Sequence, residues 1–231
     1  MKRPLSTLVG VIALLGSGTA SAASLTVNGW TLGENVTIAA GADTGTVNTA
    51  QLNLTLNGVN GYSYCVDLAQ SIGQGTTGGW TALSPASNDA VIRAAWLVDT
   101  FQPEFSSLTH PAGNGYAYAV TRGTEIAALQ VAVWEVMSDT PGNYDLFSGS
   151  FALASGGASM GVTTLARDFL MQLGSADLSS FSTNDVWAVN GSYQDQLFVG
   201  PSNPIPEAHT LILYLCGAAV GVFAVGKRRT A

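Results

Sequence analysis

From about residue 24 to residue 66 apolar and polar residues alternate with a period of two, in "SLTVNGWTL", "NVTIAA", "TVNTAQLNLTLNGV" and "GYSYCVDL". Turn residues punctuate the runs: Asn28-Gly29, Gly33, Gly41, Asn57-Gly58 and Asn60-Gly61. Alternation with such punctuation predicts strands. "QLNLTLNGVNGYSYCVDL" reads as a hairpin that ends on the strand carrying Cys65. After Pro85 the period changes. In "SNDAVIRAAWLVDTF" (87–101), Val91, Ala94, Ala95, Val98 and Phe101 fall on one helical face, and Ser87, Asn88 and Asp89 all offer capping oxygens. Residues 102–120 are loop-like, with Pro103, Pro111, Gly113 and Gly115.

The clearest helix is "GTEIAALQVAVWEVMSD" (123–139). Its apolar stripe runs through Ile126, Leu129, Gln130, Val133, Val136 and Met137, with Thr124 as the expected N-cap and Pro141-Gly142 as the stop. A third helix is predicted at 162–173, and "DVWAVNG" and "QDQLFVG" return to strand. No internal repeat is visible. The pattern predicts an α+β domain: a β-rich N-terminal part, a central helical segment and a C-terminal β hairpin.

The two ends read differently. Lys2 and Arg3 precede the apolar core "LVGVIALLG" (8–16), and Ala20-Ser21-Ala22 is an A-x-A site, so residues 1–22 read as a secretory signal peptide cleaved after Ala22. At the other end, Pro-rich "PSNPIPEA" (201–208) leads into the uncharged run "TLILYLCGAAVGVFAVG" (210–226) and then Lys227-Arg228-Arg229. Seventeen residues reach about 25 Å as a helix, the low end for spanning a bilayer. The basic cluster would stay cytoplasmic. The domain 23–200 is thereby expected outside the cytoplasm, with 201–208 as linker and 209–231 as transmembrane segment and basic tail.

This tail resembles the PEP-CTERM sorting signal of Gram-negative bacteria, on Pro206-Glu207-Ala208, the apolar run and Lys227-Arg228-Arg229. The family pattern usually has a second proline where this chain has Ala208. The resemblance implies an exosortase as partner during sorting, removal of the tail, and a cell-surface or extracellular-matrix location after transient membrane anchoring.

Charge narrows the partners. Of eight Lys and Arg, five lie in the two ends, leaving Arg93, Arg122 and Arg167 and no lysine in residues 23–200. Three arginines against fourteen acids give that stretch a net charge of −11. A nucleic-acid partner is disfavoured, because phosphate contact needs a basic face. The absence of lysine would also suit a protein carrying a reactive acyl group, although exported Gly/Ser/Thr/Asn-rich chains are commonly lysine-poor.

Two residues ask for a partner. Cys65 is the one cysteine of the extracytoplasmic part, set in a strand between Tyr64 and Val66; the other, Cys216, lies in the apolar tail. Gln130 places an amide on an apolar helix stripe, and a buried amide costs roughly 1–3 kcal/mol if its bonds are unmade. Backbone hydrogen bonding is the plain answer for Gln130. The chemical answer joins the two: a cysteine thiol can attack a glutamine carboxamide, expel ammonia and leave an internal thioester. Burial would slow its hydrolysis and hold an acyl group ready for an incoming nucleophile.

At these residues the chain resembles the thioester domain of bacterial surface adhesins. Tyr64-Cys65-Val66-Asp67 matches the family's cysteine motif, and Leu129-Gln130-Val131-Ala132-Val133-Trp134 matches its Gln-x-Ala-[Ile/Val]-Trp motif. Many members have threonine where this chain has Leu129. Order and spacing agree over about residues 60–140. The resemblance implies a Cys65–Gln130 cross-link that captures an amine or hydroxyl of a partner surface or matrix polymer. It implies a reagent used once, not a turnover enzyme, and no cofactor.

Other uses of the same residues are less well supplied. A Cys65–Cys216 disulfide would join the folded domain to the bilayer. A cysteine hydrolase needs a base, and outside the tail the chain offers only His110, in a loop. Cys65 and His110 are too few to ligate a metal. Asp67 reads as a turn cap, and Trp96 and Trp134 as core. The alternative function is a non-covalent extracellular-matrix or exopolysaccharide-associated structural protein with a free buried cysteine.

Overall fold

The computed structural model describes residues 21–40, 43–102 and 120–200. Among these residues, six antiparallel strands and three α-helices form a mixed α+β fold. The strands are β1 (Ser21–Ala40), β2 (Asp43–Leu56), β3 (Val59–Cys65), β4 (Thr77–Leu83), β5 (Val186–Val189) and β6 (Gln196–Val199). The helices are α1 (Asp89–Phe101), α2 (Arg122–Ser138) and α3 (Met160–Ser175). The strands close into a barrel in the order β1-β2-β3-β6-β5-β4.

The strand-rich start, the central helices and the closing hairpin stand where the alternation and the helical period predict them. The two runs 24–32 and 35–40 are one continuous strand, β1, with register irregularities between Val27 and Gly29 and between Leu32 and Asn35. The β2–β3 hairpin turns at Asn57 and Gly58, both at positive φ (50° and 82°), the Asn-Gly signature of a tight turn matched to strand twist. Strand β4 was not expected. Gly78 and Gly79 dilute its alternation, and Trp80 is its one buried residue. Cleavage after Ala22 would remove only two end pairs of β1, Ser21↔Ala82 and Ala22↔Thr81.

Period-2 alternation sorts the strands' side chains into two cores. Leu25, Val27, Leu52, Leu54, Trp80 and Phe198 belong to a cluster built by strands alone. Val36, Ile38, Tyr64, Val66 and Leu197 face the helices instead. Tyr64 and Val66 thus look toward the helical layer, and Cys65 between them packs against the strand-only cluster.

Helix α2 is buried on every side from Thr124 to Val136, so the single stripe read from the sequence understates its burial. Its N-cap is Thr121, not Thr124. The two threonines bond reciprocally, Thr121 Oγ1 accepting from Thr124 N at 3.1 Å and Thr124 Oγ1 from Thr121 N at 3.2 Å. Asn88 caps α1, its Oδ1 accepting from Ala90 N and Val91 N.

Strand β6 is short, and its seat on β3 depends on a small residue. A Cβ at Gly61 would overlap the Val199 carbonyl oxygen and the Phe198 ring. We expect Gly61→Ala to lower stability by about 1–3 kcal/mol through overpacking, read from a chemical-denaturation midpoint.

Candidate functional site

Cys65 is the last residue of β3, and the two edges of β3 there have different partners. On one side β6 continues, with Cys65 paired to Gln196 and Val66 N donating to Asp195 O at 3.0 Å. On the other side the pairing with β2 has ended, its last register pair being Leu52↔Ser63. The Cys65 N–H and C=O therefore emerge where no strand receives them.

The carboxamide of Gln130 takes that place. Gln130 Oε1 accepts from Cys65 N at 3.1 Å, and Gln130 Nε2 donates to Cys65 O at 2.7 Å. A side-chain amide here reproduces the two bonds of a strand neighbour, one donor and one acceptor. Gln130 is 1% exposed, and α2 holds it between Leu129 and Val131, both fully buried. The plain expectation for this residue, hydrogen bonding to backbone, is met. The backbone it meets belongs to Cys65.

The thiol itself faces another glutamine. Gln196 Nε2 lies 3.5 Å from Cys65 Sγ, and Gln196 Oε1 lies 3.9 Å away. Gln196 is fully buried, and its Oε1 accepts from Ser63 Oγ at 2.7 Å while its Nε2 donates to Gln194 O at 3.1 Å. Ser63, Cys65 and Gln196 share one face of the β3–β6 pair, a small polar group beside the strand-only core. Cys65 as a residue is half-buried. Burial of the thiol pushes its pKa up to about 12; the Gln196 bond opposes that rise, and Asp67 adds to it.

Neighbouring groups brace this corner. Asp67 fills its expected turn role, accepting from Gln70 N at 3.1 Å, and also accepts from Asp195 N at 2.7 Å, which pins the start of β6. The Tyr64 hydroxyl accepts from Gln51 Nε2 at 2.9 Å, and Gln51 Oε1 accepts from Arg122 Nη2 at 3.3 Å. Burial drives the Tyr64 pKa up, so the phenol stays protonated. Trp134 is buried and Trp96 packs against the helical core, as expected of core residues.

Cys65 and Gln130, predicted from opposite ends of the motif span, are thus brought together. Sequence reasoning missed Gln196, Ser63 and Gln51. Alternation alone puts Gln196 on the face of Phe198, yet its neighbour across the strands is set by pairing over 131 residues. Among the described residues no group of His, Cys, Asp and Glu could hold a metal ion, and no helix is long and apolar enough to cross a membrane. Ala20 of the signal site, His110, Cys216 and the sorting residues Pro206, Glu207, Ala208, Lys227, Arg228 and Arg229 lie outside the described residues.

Away from this corner, burial first and the neighbouring Asp99 carboxylate second push Asp185 up to about 8. A carboxyl whose pKa is raised on folding contributes stability that is complete below its unfolded value, near 4, and is lost as pH rises toward 8. Unfolding midpoints are expected to fall between pH 5 and pH 8, and Asp185→Asn should weaken that dependence while Glu135, which burial likewise raises to about 8, keeps part of it.

Comparison of the chain with protein-family models, with curated proteins and with solved structures returned no match.

Proposed function

We propose that this chain is an exported surface protein that forms an internal Cys65–Gln130 thioester and uses it once, for covalent attachment to an amine or hydroxyl of a partner surface or matrix polymer. One observation carries the reading: the Gln130 carboxamide is bonded at both its ends to the main chain of Cys65. A helix residue and a strand residue 65 positions apart bring a carboxamide to a cysteine inside a largely apolar enclosure. Bond formation then brings Sγ, held beside the Gln196 amide, to Cδ of Gln130. Burial keeps water from the acyl carbon, and attack by a partner nucleophile leaves it joined to Gln130 with Cys65 restored as thiol. The sorting-signal resemblance adds the delivery route: export, transient anchoring by residues 209–231 and processing by an exosortase. The high negative charge of the domain favours a neutral or cationic nucleophile-bearing surface.

A second reading rests on the same geometry. Gln130 has both hydrogen bonds satisfied by backbone, and the Cys65 thiol rests on Gln196, so the site is also complete as a structural joint in a non-covalent matrix protein. The two readings separate on a labelled primary amine. The exported protein, incubated with a fluorescent alkylamine and then denatured, should retain the label, and Cys65→Ala and Gln130→Ala should not. Label retained by either variant refutes the cross-link.

A further inference from the structure

We propose that Gln196, oriented by Ser63, is the hydrogen-bond donor that stabilises the Cys65 sulfur as it gains negative charge, both when the bond to Gln130 forms and when a nucleophile opens it. The inference rests on the proposed Cys65–Gln130 chemistry. In formation, Sγ gives up its proton and bonds to Cδ of Gln130, the Cδ–Nε2 bond breaks, and the proton departs on nitrogen as ammonia. In opening, an amine bonds to Cδ, the Cδ–Sγ bond breaks, and the amine's surplus proton returns to sulfur. Both directions pass through a sulfur carrying partial negative charge, and neither Cys65 nor Gln130 has a donor to offer it. The Gln130 Nε2 donates to Cys65 O and is itself the leaving group in formation.

Gln196 is built for that task. Its orientation is decided by its neighbours: the Gln194 carbonyl can only accept, so the atom 3.1 Å from it is the amide nitrogen. The same nitrogen lies 3.5 Å from Sγ, within reach for a donor to sulfur. Ser63 Oγ, 2.7 Å from Oε1, holds the other end of the amide. With Oε1 3.9 Å from Sγ, the neutral thiol can donate to the oxygen and the charged sulfur can accept from the nitrogen. Gln196 is fully buried, so no water competes for this donor. A preorganised donor aimed at developing charge in a water-poor site is the usual protein solution to such a step.

The test uses Gln196→Leu, which keeps size and removes the donor, in two settings. In a Gln130→Ala chain Cys65 is a thiol whether or not a thioester ever forms. There, adding Gln196→Leu should slow iodoacetamide alkylation of Cys65 at pH 9 about tenfold, since a hydrogen bond to a charged group is lost. Loosening of the fold would move that rate upward, so a structural effect has the opposite sign. In the otherwise wild-type chain, Gln196→Leu should slow methylamine opening of the thioester by about tenfold or more, with Ser63→Ala a weaker effect of the same sign. Unchanged or faster alkylation overturns the role of Gln196. So does a methylamine adduct mapped to Gln196, which would make it the acyl donor. A wild-type chain with no ammonia lost refutes the cross-link instead, and the alkylation ratio still decides the donor.

Discussion

Gln130→Ala is expected to abolish covalent capture and to destabilise the domain by roughly 2–4 kcal/mol, far more than a surface substitution. The two effects have separate causes. Capture is lost because the acyl carbon is gone. Stability is lost, relative to the chain before the bond has formed, because Cys65 N and O sit where β2 has ended and have Gln130 as their partner. Each buried backbone group left unpaired costs about 1–3 kcal/mol, and truncating a side chain that is 1% exposed also leaves a cavity. Chemical denaturation gives the second quantity and a labelled alkylamine gives the first.

Cys65→Ala should separate them. Gln130 bonds to main-chain atoms of residue 65, which alanine keeps, so the edge of β3 stays closed. Gln196 keeps Ser63 and Gln194 as partners. Measured against the chain before the bond has formed, the expected stability loss is about 1 kcal/mol, the burial of one small side-chain atom. Covalent capture should nevertheless fall to nothing, because the sulfur that activates the acyl group is absent. A stable Cys65→Ala protein with no capture, beside a destabilised Gln130→Ala protein with no capture, is the pattern of a joint that is also a reagent.

Much of this arrangement was legible in the residues, for identifiable reasons. Gln130 stood out because a polar side chain interrupts an apolar helical stripe, and burial makes such an interruption costly. Cys65 stood out by its lone position in an alternating strand. The hairpin at Asn57-Gly58 and the three helices follow from turn chemistry and period. Strand β4 was hidden because Gly78 and Gly79 interrupt its pattern, and only Trp80 of its seven residues is buried. The N-cap of α2 lay three residues earlier than expected, because Thr124 closes a reciprocal cap and does not open the helix. Gln196 could not be chosen from sequence. Its neighbour is fixed by which strand closes the barrel beside β3, and β6 returns there after three helices. Periodicity assigns a face; it does not assign a partner strand.

The most direct test of the central claim is the intact mass of the purified exported protein, denatured with and without prior exposure to methylamine. The thioester predicts a chain lighter by one ammonia, which methylamine converts to a single adduct on Gln130 while one free thiol appears at Cys65. A chain at full mass, with a free Cys65 thiol and no adduct, would contradict the cross-link and leave Gln130 as the structural edge partner of β3.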